Sequence, residues 1–154
     1  MQAFKENLPL ILSVLGIILA IVPPGVGSAK GATMIGKAAT ALISEQPEKF
    51  GQSLVLQMMS ASQGLYGFII GFLILINSGG GVSFTGALKF FFAGLLMGVA
   101  GYITAVLQSQ QATAGVQILA KKPEHSTKGV LYSAMIETYA IFAFVISMMI
   151  VLVL

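Results

Sequence analysis

The segment GVLYSAMIETYAIFAFVISMMIVLVL, residues 129–154, holds a single charged side chain, Glu137, in a run otherwise made of apolar and small residues. About 20 such residues, rising ~1.5 Å each, carry a helix across the hydrocarbon of a bilayer. The run is long enough to span, and its acid lies well inside. Glu137 stands eight residues past Gly129, roughly 12 Å along a helix at the standard rise, too deep to reach water easily. A carboxylate at that depth costs a few kcal/mol or more and by default serves a partner, an ion or a cavity. The plain alternative is a protonated Glu that bridges two helices with a hydrogen bond, and it carries less weight.

Outward from this segment the same composition holds. Charged residues make up 8% of the 154 and the mean hydropathy is +0.94, whereas a soluble domain carries roughly 25% charged residues because its surface faces water. Uncharged stretches run from Asn7 to Ala29, from Phe50 to Leu88 and from Phe90 to Ala120. Proline and charge interrupt the chain at Glu45-Gln46-Pro47-Glu48-Lys49 and at Lys121-Lys122-Pro123-Glu124-His125, and Asn77-Ser78-Gly79-Gly80-Gly81 reads as a turn. The pattern predicts an all-α membrane protein with four transmembrane helices, over 8–44, 52–77, 84–120 and 127–153. Lys5 before an apolar run has the look of a secretory leader. No Ala-x-Ala site follows, however, and the helical pattern continues past Gly25, so the run is read as the first span. Pro23-Pro24 is expected to kink it.

Several function classes fall away. With no Cys and one His there is no disulfide and no thiolate metal site, and His125 has no companion ligand. A net charge of +3 makes no nucleic-acid patch. Gly25-x-Gly27-x-Ala29-x-Gly31 has neither a preceding strand nor a following Gly-Lys-Ser/Thr, so close helix packing explains it better than phosphate binding. Lys49, Lys121, Lys122 and Lys128 flank the two Pro-Glu loops, with Lys30 and Lys37 on the same side. By the positive-inside rule those loops face the cytoplasm, with both termini and the Gly-rich turn outside.

A shift of 76 residues lays Pro47-Glu48 on Pro123-Glu124 and Leu42-Ile43 on Ile118-Leu119. The chain thus reads as one helical hairpin duplicated in tandem, residues 1–80 and 81–154. Gly101, Ala105, Ala112 and Gly115 of the third helix fall on Gly25, Ala29, Gly36 and Ala39 of the first, a small-residue stripe that lets backbones approach. Gln108, opposite Ala32, interrupts it. In the second helix Met59, Ser62, Gln63 and Tyr66 share one face, and loosening at Ser60-Ala61-Ser62 would free a carbonyl near Met59. With a two-residue gap after the loop, Gln63 falls opposite Glu137, so the first hairpin carries an amide where the second carries the acid. Taken singly these polar residues are interhelical glue. Together with Gln108 and Glu137 they amount to one anion and several neutral oxygens, the requirement of a small, hard, monovalent cation.

Gly25-Val26-Gly27-Ser28-Ala29-Lys30-Gly31, Gln63-Gly64-Leu65-Tyr66-Gly67, the 118–125 loop and Glu137-Thr138-Tyr139-Ala140-Ile141 resemble the duplicated, four-helix proteolipid (c or K) subunit of V-type rotary ATPases over nearly the whole chain. The resemblance implies identical copies in a membrane ring surrounded by lipid, a stator membrane subunit, central-stalk subunits at the Pro-Glu loops, and Glu137 as the acid that carries the ion. It also implies that the chain is not itself an enzyme. Bacterial members that carry Na⁺ look especially similar, which implies a bacterial cell membrane and Na⁺ at Glu137, Gln63, Gln108, Ser62 and the Met59 carbonyl, with Tyr66 beside them. Ser60-Ala61 stands where related chains commonly carry Pro-Gly, so a break that frees the Met59 carbonyl has to form here without a proline. The alternatives are a rotor subunit that carries only H⁺, which needs no more than the carboxylate, and a four-helix multidrug/proton antiporter, which would carry its acid in the first helix.

Overall fold

The structure, a computed structural model, describes the backbone of residues 2–154 and the side chains from Glu6 onward; the Lys5 side chain lies outside the described residues. The chain is helical almost throughout: α1 Gln2–Glu45, α2 Phe50–Met58, α3 Ser62–Asn77, α4 Phe84–Lys121 and α5 Ser126–Leu152. Single 3₁₀ turns, Pro47–Lys49 and Pro123–His125, stand at the two Pro-Glu loops. These make four apolar spans of 40, 31, 38 and 30 residues, the second formed by α2 and α3 together. All four predicted helices are present, the first beginning six residues earlier than expected, the second two and the fourth one, and the second is broken at Met59–Ala61 rather than continuous.

Local chemistry explains the ends. Gly80 and Gly81 take φ of 92° and 94°, values that a side chain disfavours and glycine tolerates, and they reverse the chain between α3 and α4. The Ser83 hydroxyl then accepts from the Gly86 N–H at 3.2 Å and starts α4. At the opposite end Lys49, almost fully buried, donates to the Ala120 carbonyl at 3.1 Å. The lysine satisfies a carbonyl of the last turn of α4, where a cation is favoured.

α1 continues unbroken through Pro9, Pro23 and Pro24. Pro23 and Pro24 each remove the N–H that would bond the carbonyl four residues earlier, which leaves those of Leu19 and Ala20. Those carbonyls lie against Gly98 of α4 and Gly67 of α3, where a methyl group would collide with them. The two glycines thus admit the proline-containing stretch to the bundle, as weak Cα–H···O contacts between close helices allow.

α1 and α4 run parallel, side by side; α2 and α3 pack on α1, and α5 packs on α4. Two apolar clusters hold the bundle. One contains Ala20, Ile70, Ile74, Phe90 and Met97, the other Ile35, Leu42, Leu56, Ala112 and Leu119. Along the second, third and fourth spans the buried polar residues Ser60, Gln63, Thr104, Gln108, Ser109 and Ser133 fall between the clusters. The outer faces of the second and fourth spans carry Leu65, Phe68, Phe72, Tyr139 and Phe142, all at least half exposed, a lipid-facing surface no soluble monomer sustains.

The two copies of the small stripe differ in a single chain. Gly101, Ala105, Gln108, Ala112 and Gly115 are buried, whereas in the first helix Ala29 is exposed, Gly25 and Gly36 are half-buried and Ala39 alone of the four is buried. α1 instead buries Ala20, Pro24, Gly27, Gly31 and Ile35 against its own chain.

Candidate ion-binding site

The second span breaks where Ser60-Ala61 stands. The N–H groups of Met59, Ser60 and Ala61 bond three residues back, to Leu56, Gln57 and Met58, and regular α-helical bonding resumes with Leu65 to Ala61. Serine chemistry takes up what the break releases: the Ser60 hydroxyl donates to the Gln57 carbonyl at 3.1 Å, and the Ser62 hydroxyl lies 3.5 Å from the Met59 carbonyl. The Gly64 N–H goes to the Ser28 hydroxyl of α1 at 3.0 Å. A hydroxyl on the neighbouring helix therefore competes for the donor that would close the helix, and the break forms without a proline.

This break positions the site. The Tyr66 hydroxyl donates to Glu137 Oε1 at 2.8 Å, and the Gln108 amide donates to Glu137 Oε2 at 3.4 Å. Gln108 in turn accepts, through its amide oxygen, from the Gln63 amide. The Ser62 hydroxyl lies 3.3 Å from the Gln63 amide oxygen and reaches on to Met59. One chain of polar contacts thus passes through all six residues singled out in the sequence. Gln63 and Gln108 are fully buried and Glu137 is half-buried. A cavity of about 350 Å³ lined by Val55, Met58, Met59, Ser62 and Glu137 opens beside the carboxylate between the second and fourth spans.

Gln63 and Glu137 meet opposite ends of the same Gln108 amide, one at its oxygen and one at its nitrogen. That placement agrees with their equivalence under the gapped repeat. Tyr66 stands as an orienting group on the carboxylate, and its ring stacks on Phe144 with centroids 5.0 Å apart.

Three contributors escaped the sequence reading. Ser133, fully buried, donates to the Gln108 carbonyl at 3.2 Å. Ser133, Glu137 and Phe144 stand at i, i+4 and i+11 of one helix, so facing arithmetic from Glu137 would have found the serine and the aromatic. Ser28 lies within a quoted motif, but only the break in the neighbouring helix gives its hydroxyl a role.

The site's chemistry is that of one carboxylate with neutral oxygens converging from three spans. The model of the ATP synthase C-subunit family matches twice, over residues 15–74 and 91–150, the same 76-residue offset read from the sequence. The V-type sodium ATPase subunit K of Enterococcus hirae is 50% identical over 147 residues, covering 96% of this chain and 94% of that one. The A-type ATP synthase subunit K of Methanocaldococcus jannaschii is 35% identical over 141 residues, covering 92% of this chain and 62% of that protein. Two tandem matches over most of the sequence, on a bundle whose spans converge on an intramembrane carboxylate, place the chain in the ATP synthase C-subunit family, with the family unit carried twice.

Proposed function

We propose that the chain is a rotor subunit that binds Na⁺ at Glu137 and carries it by rotation of a ring of identical copies, coupled to ATP hydrolysis in other subunits. The observation that carries this reading is the set of neutral oxygens around the acid. A proton needs only the carboxylate. Na⁺ must have its water replaced by oxygen ligands, and Glu137, Gln63, Gln108, Ser62 and the Met59 carbonyl supply them. The Gln108 amide presents its oxygen to the ion by a half-turn about Cγ–Cδ, a soft torsion. The name of the Enterococcus hirae relative, a sodium ATPase subunit, supports the same ion.

The residues divide the work. Glu137 supplies the single negative charge that a +1 ion cancels, so the loaded site is neutral and can face lipid. Tyr66 holds the carboxylate in place. The cavity at Val55 and Met58 gives the ion its way in and out on the outer face, where a stator subunit that places an aqueous path and a cation against Glu137 would displace it. The two hairpins, 1–80 and 81–154, are the two repeat units, the second bearing the acid. The Pro-Glu loops face the cytoplasm of a bacterial cell and meet the central stalk, both termini lie outside, and the chain performs no catalysis of its own.

Dicyclohexylcarbodiimide attacks the protonated carboxyl group, so in the purified assembly at fixed pH and ionic strength Na⁺ is expected to slow modification of Glu137 while K⁺ at the same concentration does not. Modification governed by pH alone, indifferent to Na⁺, would assign the site to protons. Tyr66→Phe keeps the stack on Phe144 and removes the hydrogen bond to Glu137. Since hydrogen bonds to charged groups contribute about 1.5–3 kcal/mol, its Na⁺ protection curve is expected to move about tenfold or more to higher concentration, at about 1.4 kcal/mol per tenfold, with assembly unchanged.

A further inference from the structure

The second span opens at Met59–Ala61, and the repeat supplies an unbroken copy to set beside it. The gapped offset that lays Gln63 on Glu137 lays Ser60 on Ala134, Ala61 on Met135 and Gly64 on Thr138. α5 runs without interruption through those three positions, from Ser126 to Leu152. Propensity does not account for the difference, because Ala is the best of helix formers and Ser an ordinary one. What distinguishes the two copies is a contact with another span.

In the first hairpin the Ser28 hydroxyl of α1 accepts from the Gly64 N–H at 3.0 Å. The approach requires a residue with no side chain, since a methyl at Gly64 would stand 3.2 Å from the Ser28 hydroxyl oxygen and 3.6 Å from Cα of Gly25. Both halves of the contact are altered in the second hairpin. The 76-residue shift puts Thr104 in the place of Ser28, and its hydroxyl turns back to the Ala100 carbonyl of its own helix at 2.7 Å. Thr138 carries a side chain where Gly64 has none. The break is found in the hairpin that has the contact.

A regular helix would give the Gly64 N–H to the Ser60 carbonyl and the Gln63 N–H to the Met59 carbonyl. These bonds belong to one turn, so a Gly64 held on Ser28 keeps that turn from closing. The Met59 carbonyl is left to the Ser62 hydroxyl, 3.5 Å away, and to an ion. We infer that Ser28 is a positioning residue for Na⁺: by taking the Gly64 N–H it keeps the second span open and the Met59 carbonyl available as a ligand. The inference rests on the Na⁺ reading above and makes one of its ligands depend on a hydroxyl of the first span that does not line the cavity at Glu137. Ser28 thereby bears on Na⁺ and not on H⁺, which needs only the carboxylate that Tyr66 and Gln108 hold.

Ser28→Ala removes the acceptor and lets the turn close. In the purified assembly, with dicyclohexylcarbodiimide modification read as added mass on Glu137 itself, protection is expected to need about 10–100-fold more Na⁺, the usual cost of losing an outer partner of a metal ligand. The pH dependence of modification without Na⁺ is expected to stay at wild type. Adding Ser60→Pro is expected to return the Na⁺ curve to near wild type, because proline lacks the N–H that a closed helix would give to Leu56 and its ring collides with that carbonyl. Ser28→Cys, close in size and a weak acceptor, is expected to move the curve in the same direction as Ser28→Ala, and provides the test should the Ala variant not assemble. Lost packing would not be repaired by a proline on another span. A shift that Ser60→Pro leaves in place, a pH profile that moves with the Na⁺ curve, or a Na⁺ curve unmoved in both Ser28 variants overturns the positioning role and leaves the Na⁺ reading standing. Wild-type modification indifferent to Na⁺ overturns both.

Discussion

Glu137→Gln is expected to abolish ATP-driven Na⁺ uptake by membrane vesicles containing the whole complex, while the protein inserts and assembles at wild-type levels. Gln keeps the shape of the side chain and its amide oxygen still accepts from Tyr66, while its NH2, standing where the second carboxylate oxygen accepted from Gln108, meets that amide once Gln108 turns its oxygen toward it. What it loses is the charge that alternates between bound and unbound states. Without that charge the remaining oxygens are neutral and cannot repay the dehydration of a cation at this depth in the membrane. The measurement is ²²Na⁺ accumulation on addition of ATP, with the amount of inserted protein checked in the same vesicles. Uptake near the wild-type rate would remove Glu137 from the mechanism.

Gln108→Ala is expected to produce the second largest effect. Gln108 is fully buried and meets both Gln63 and Glu137. Truncation removes one oxygen ligand and strands the Gln63 amide, each stranded buried group costing about 1–3 kcal/mol. Na⁺ protection of Glu137 is expected to require about 10–100-fold more Na⁺, at about 1.4 kcal/mol per tenfold. The recovered amount of assembly should fall as well, because Ala fills the small stripe but leaves the polar layer open. An unchanged protection curve would show that Gln108 only packs helices.

Most of the fold was legible because lipid permits few solutions: apolar runs between charged or glycine-rich breaks become spans, and the duplicated loops set the pairing. The site was legible for a related reason. Gln63, Gln108 and Glu137 are costly in the places they occupy, and cost without local explanation marks a shared role. The break at Met59–Ala61 was only half legible. Ser60-Ala61 carries no strong breaking signal, and the competition that opens the helix comes from Ser28 on another span, which no local pattern displays. α1 remaining continuous through Pro23-Pro24 has the same origin, since the accommodating glycines, Gly67 and Gly98, lie on other helices. Ser133 and Phe144 were within reach of helical spacing from Glu137.

Equilibrium binding of ²²Na⁺ to the purified assembly, with Glu137→Gln and excess K⁺ as controls, tests the central claim most directly. Saturable binding of one Na⁺ per chain, absent in Glu137→Gln and undiminished by K⁺, is the predicted result. An assembly that binds no Na⁺ above the Glu137→Gln background, at a pH where the carboxylate is available, would contradict it.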